Sequence, residues 1–159
     1  MDAIALLKQD HKAVKALLTE LADTTNRAQK TRTELLQKIA TEIKAHATIE
    51  EEIFYPAFKA AGEKADDNKM FFEALEEHRA AGDLVLPDLL NTKPESEQFS
   101  GRAKVLKELI EHHVKEEEGQ MFKDAKKLFS SEELAQLGKQ MEQRKAEVLK
   151  ELKRPKAAA

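Results

Sequence analysis

A doubled motif constrains this chain more than any other feature: His-x-x-x-Glu occurs at His46/Glu50 in HATIEEEIFYP and again at His113/Glu117 in HVKEEEGQMF, and separate histidines, His11 and His78, precede the two copies. Positions four apart on an α-helix stand one turn above each other on one face, about 6 Å along the axis. An imidazole and a carboxylate so placed can reach one metal together. Six donors spread over four stretches of sequence are what a four-helix bundle needs to hold two metals in its core.

The rest of the chain fits that architecture. Gly and Pro are scarce, β-branched residues are few, and Ala, Leu, Glu and Lys dominate, so the expected class is all-α. At 159 residues one domain with a substantial core is expected. A first helix over 2–23 carries Ile4, Leu7, His11, Val14, Leu18 and Leu21 at alternating steps of three and four. A second, at about 31–61, has the seam Leu36, Ile39, Ile43, His46, Glu50 and Ile53. A third places Phe71, Leu75, His78, Gly82, Val85 and Leu89 on one face, and Pro87, which cannot donate to the helical ladder, should kink or end it. Leu106, Ile110, His113, Glu117 and Met121 line a fourth.

These elements predict an up-down four-helix bundle over about 2–129. Ser130 and Glu133 form a capping-box signature for a short additional C-terminal helix over 131–152, completing a single domain of 1–152. Leu134, Leu137, Met141, Val148 and Leu152 on its one side suit it to cover the bundle, or else to form a homodimer. Residues 153–159 are expected to be a disordered tail.

Several function classes fall away on composition. With a net charge of −3 and acids and bases interspersed, no basic face for nucleic acid is expected. The absence of Cys excludes thiolate sites and iron–sulfur clusters, so a metal must be held by nitrogen and oxygen. No apolar run approaches the length of a membrane span, and the start lacks the pattern of a signal peptide. A cytoplasmic protein with no membrane partner is therefore expected.

A single histidine on an apolar face is commonly a satisfied core residue. Here all four seams carry one, and two carry a glutamate a turn later. Burying these groups uncompensated would cost several kcal/mol per ion, and a pair of cations compensates them. Glu51, Glu52, Glu116, Glu118 and His112 lie off the seams and read as solvated groups or as partners orienting a ligand. Imidazole with carboxylate suits iron, manganese or zinc. The Glu-x-x-His spacing of ferritin-like di-iron proteins precedes none of the histidines.

With LKQDH, HATIEEEIFYP, EEHRAAGDL and ELIEHHVKEEEGQMF, the chain resembles the hemerythrin-like, or HHE cation-binding, domain over about residues 3–130. The resemblance implies two iron ions bridged by an oxo or hydroxo group and by carboxylates. Their ligands would be His11, His46, Glu50, His78, His113 and Glu117, with His112 an off-seam neighbour. It also implies small-molecule partners, H2O2, NO or O2. Oxygen-carrying relatives have a further histidine one turn before the position of His78, where this chain has Ala74. Two six-coordinate metals then keep about two open positions, which suits chemistry better than reversible storage.

The only tyrosine, Tyr55, is the remaining candidate ligand. On an ideal helix it lies about 180° from His46. Pro56 removes a hydrogen bond, and a π-bulge there would bring Tyr55 to roughly 80°. The order H, HxxxE, H, HxxxE with a tyrosine resembles the mycobacterial-type subgroup, with which a phenolate ligand is associated. Packing at the helix end is the other reading of Tyr55. The expected function is reaction with small oxidants, H2O2 in a catalase-like route or NO in a peroxidase-like one. The competing expectations are an oxygen or nitric-oxide carrier or sensor, and iron storage or sensing.

Overall fold

The computed structural model describes residues 1–62 and 65–154, which form five helices and no strand among them. Helix α1 is Ala3–Ala22, capped by Asp2, whose side chain accepts from Ala5 N at 2.8 Å. Helix α2 joins an α-helical stretch Gln29–Ile49, a π-helical segment Glu50–Phe54 and a second stretch Tyr55–Ala61. Helix α3 is built the same way from Ala65–His78, a π segment Arg79–Val85 and Leu86–Leu90. Helix α4 combines Glu97–Glu116, a π segment Glu117–Met121 and Phe122–Leu128. Helix α5, Ser131–Lys153, starts with the expected capping box of Ser130 and Glu133.

The three π segments are the main departure from ideal periodicity. Each closes with a hydrogen bond one residue longer than the α-helical one: Tyr55 N to Glu50 O, Leu86 N to Ala81 O, and Phe122 N to Glu117 O. In α2 and α3 a proline, Pro56 or Pro87, follows directly, and a widened turn absorbs the donor it lacks. The helix expected to stop or kink at Pro87 therefore continues through it to Leu90. Helix α4 widens without a proline.

Two apolar clusters flank the histidines. Toward one end lie Leu7, Ile49, Phe54, Tyr55, Phe58, Met121 and Phe122, and toward the other Val14, Leu18, Leu36, Ile39, Leu89, Phe99 and Leu106. Helix α5 packs on α1 and α2 through Leu134, Met141 and Val148, covering the bundle; Leu152 remains exposed. Helix α5 passes so close to the start of the chain that Gly138 faces the backbone of Met1, Asp2 and Ala3. The far end is tied by Arg32, whose buried guanidinium donates to Thr24 Oγ1, Thr24 O, Pro94 O and Ser100 Oγ while lying over the Phe99 ring. Of the tail expected over 153–159, Lys153 ends α5 and Arg154 follows at its C-cap, and residues 155–159 lie outside the described residues.

Candidate metal centre

The six seam donors meet at the middle of the bundle. His46 Nε2 lies 3.0 Å and His78 Nε2 3.1 Å from Glu50 Oε1, while His11 Nε2 lies 3.1 Å from Glu117 Oε1 and His113 Nε2 3.2 Å from Glu117 Oε2. Each glutamate thus reaches the histidine on its own helix and one from the other half of the chain. The rings pair alike: His11 with His46 at 4.9 Å and His78 with His113 at 4.8 Å between centroids, both inclined at 66°. Ligand atoms of His11, His46, Glu50 and Glu117 lie within 4.8 Å of one another, as do those of Glu50, His78 and His113. Glu50 belongs to both groups.

The fit of this cluster to cations can be judged from its own hydrogen bonding. His11 Nε2, His46 Nε2, both Glu50 oxygens and Glu117 Oε1 are buried, and although the nearest approaches among them are 3.0–3.1 Å, none has the direction of a hydrogen bond. Buried polar atoms are almost always paired, and each orphan costs about 1–3 kcal/mol. Inward nitrogens and carboxylate oxygens converging unpaired on one volume are a donor set for metal.

The outward nitrogens are paired in full. His11 Nδ1 meets Glu118 Oε2 at 2.8 Å, His46 Nδ1 meets Asp10 Oδ2 at 2.9 Å, His78 Nδ1 meets Glu51 Oε2 at 3.3 Å and His113 Nδ1 meets Glu77 Oε1 at 2.9 Å. A carboxylate can only accept, so each Nδ1 carries a proton, and in the neutral imidazole Nε2 is left with its lone pair toward the centre. Glu51 and Glu118 are thus orienting partners. Glu52 instead pairs with Arg144 on α5, and His112 is an exposed neighbour of Glu77.

Asp10 and Glu77 were not legible as partners in the sequence. The available signal was position: each immediately precedes a seam histidine, and each serves the histidine on the following helix, 36 positions later in both cases. Every group of the second set follows its counterpart by the same 67 positions, as His78 follows His11 and His113 follows His46. The centre is a pseudo-twofold arrangement of two helix pairs.

Tyr55 also reaches the centre, because the wide turn Glu50–Phe54 rotates it inward. Its phenol is buried and donates to Glu117 Oε2 at 2.5 Å, with Oη 3.2 Å from His78 Nε2 and 3.3 Å from His113 Nε2. Its counterpart, Phe122, lies parallel to the His11 ring at 5.9 Å. Burial, followed by the negative charges of Glu117 and Glu50, pushes the Tyr55 hydroxyl well above its usual range. The phenol therefore keeps its proton unless a cation takes its place.

Without a cation, protons neutralise the cluster. Burial opposes charge on His46, yet Glu50 and Asp10 outweigh it and push the imidazole up to about 10. His78 and His113 are raised against burial by the same kind of carboxylate neighbours. Burial likewise opposes the charge on Glu50, and His46 above all holds it well below the ordinary carboxylate range.

Two cavities open onto the centre. One of about 120 Å³ touches all four histidines and has Val14, Ile43, Ala81 and Leu86 among its apolar walls. The other, of about 90 Å³, reaches His113 and Glu117 beside Ala74, between Met70 and Met121.

This donor set and bundle agree with a family model, that of the hemerythrin HHE cation-binding domain, which matches residues 2–125. The chain belongs to the hemerythrin HHE cation-binding domain family. A similar solved structure is that of a hemerythrin HHE cation-binding domain-containing protein from Mycobacterium kansasii, with a TM-score of 0.81 and 26% identity, covering 95% of this chain and 89% of that one. A curated relative from Nostoc, described as a DNA nickase, is 27% identical over 147 residues. Those residues are 92% of this hemerythrin-like chain and 40% of the relative, so the chain spans under half of that protein's length. No described helix is long and apolar enough to cross a membrane.

Proposed function

We propose that this hemerythrin-like protein holds two iron ions, one by His11 and His46 and the other by His78 and His113, with Glu50 and Glu117 bridging, and that it decomposes hydrogen peroxide. The observation that carries the reading is the environment of Tyr55. An oxygen donor stands beside His78, His113 and Glu117, and beside Ala74 a cavity leads to the same half of the centre. Bound iron would supply redox and Lewis-acid chemistry.

The chain's own groups prepare the site for a small oxidant. The apolar walls of the larger cavity limit water around the histidines, which strengthens the electrostatic interactions inside. The four outer carboxylates fix each imidazole with its lone pair inward. Glu51, at the wall of that cavity and half exposed, holds His78 Nδ1 where solvent reaches the pair. Tyr55 holds its proton on Oη in the metal-free protein and would favour the ferric state as a phenolate, which opposes reversible oxygen carriage.

Oxygen evolution after peroxide is added to the iron-loaded protein tests the reading, with Tyr55→Phe as the comparison. Nitric oxide is the alternative oxidant for the same centre. A carrier or sensor role is the second reading, and it is favoured if the reduced protein binds oxygen and releases it under vacuum. Retention of more than two irons per chain would instead support storage.

A further inference from the structure

The two halves of the centre match in their histidines and differ in what lies behind them. Asp10 Oδ2 accepts from His46 Nδ1, and Asp10 Oδ1 accepts from Lys145 Nζ on α5 at 2.5 Å. Asp10 is 4% exposed and Lys145 20%, so this cation is only weakly screened by solvent. In the other half Glu77 meets His113 Nδ1 and, through Oε2, the exposed His112 at 3.3 Å; among the described residues it has no lysine or arginine partner. The inner faces differ as well. Phe122 lies against His11, where its counterpart Tyr55 brings a hydroxyl to His78.

A carboxylate on Nδ1 makes an imidazole a better donor to metal. An ammonium on that same carboxylate withdraws part of this effect and adds a like charge near the metal position. We propose that Lys145 is a positioning residue that makes His11/His46 the weaker, exchangeable half of the centre, so that His78/His113 fills first and empties last. This rests on the two-metal reading above. Helix α5 is then more than a cover: it breaks the symmetry of a duplicated site from outside the four-helix bundle.

Titration of the chelator-stripped full chain with Co2+, followed by visible absorption, tests the inference. Two steps separated by tenfold or more in affinity are expected. Lys145→Met should tighten the weaker step and bring the two together, whereas Lys145→Arg should preserve the gap. Paramagnetically shifted imidazole N–H signals in the unaltered protein identify the half filled first and need no variant. First occupancy by His11/His46, equal steps in the unaltered protein, or a gap unchanged in folded Lys145→Met would overturn the role of Lys145 while leaving two metals in place. Binding of fewer than two Co2+ would overturn the two-metal reading instead.

Discussion

Tyr55 donates its phenolic proton to Glu117 Oε2 at 2.5 Å, joining the end of the wide turn in α2 to the start of the one in α4. The contact exists because each helix closes its hydrogen bond over one residue more at that point than an α-helix would. It brings an oxygen donor within reach of the His78/His113 half.

In the iron-loaded protein, Tyr55→Phe should keep the metal while losing a visible phenolate-to-iron absorption band, and should change the rate of oxygen release from peroxide. An unchanged spectrum and rate would make Tyr55 a packing residue. The fold should tolerate the change, since Phe122 occupies the equivalent position against His11.

His46→Ala or His113→Ala should lose iron and destabilise the protein by about 3–5 kcal/mol, because removing one member of a buried charged group leaves the others uncompensated. His112→Ala should do neither: its ring is exposed and pairs with Glu77 at 3.3 Å. Metal content and thermal unfolding of the three variants check this. Equal loss in the His112 variant would contradict the assignment.

Stability of the chelator-stripped protein should fall as pH rises from about 6.5 to about 10. His46 titrates near 10 in the folded chain against 6.5 as its ordinary value, so its contribution is complete below 6.5 and disappears through 10. His78 and His113 shift in the same direction. Glu50, held low, works at the acid side, contributing above about 4.5 and losing its contribution as pH falls. Melting curves across pH measure both edges. A metal-free protein that gains stability between pH 7 and 10 would contradict the ionisation of the cluster.

Gly138→Ala should destabilise the protein by about 1–3 kcal/mol or more through overpacking. An added Cβ would meet backbone, namely Met1 O, Asp2 C at 2.7 Å and Ala3 N at 2.8 Å, none of which yields as a flexible side-chain tip would. Urea unfolding gives the value. An unaltered midpoint would mean that the α1 entrance and α5 are not in contact in solution.

The seam itself was legible because 3.6-residue periodicity places His11, His46, Glu50, His78, His113 and Glu117 among apolar neighbours. The wide turn before Tyr55 was legible too, since Pro56 announces a missing donor. The one in α4 carries no such mark, as Lys123 stands where α2 has Pro56. Pro87 signalled a break, but a widened turn kept α3 continuous. Asp10 and Glu77 lie about 100° from their seams, and which histidine they face depends on how neighbouring helices meet. Lys145 reaches Asp10 across 135 positions, and Arg32 collects carbonyls from two loops. Such partners are fixed by packing, and periodicity within one helix carries no trace of them.

Metal analysis of the purified protein together with its absorption spectrum bears on the two-iron centre without any intermediate step. Iron near two per chain with ligand-to-metal bands in the visible is expected, both lost together in His46→Ala and His113→Ala. A protein that folds fully, binds no iron on reconstitution and shows the same thermal stability with and without metal would contradict it.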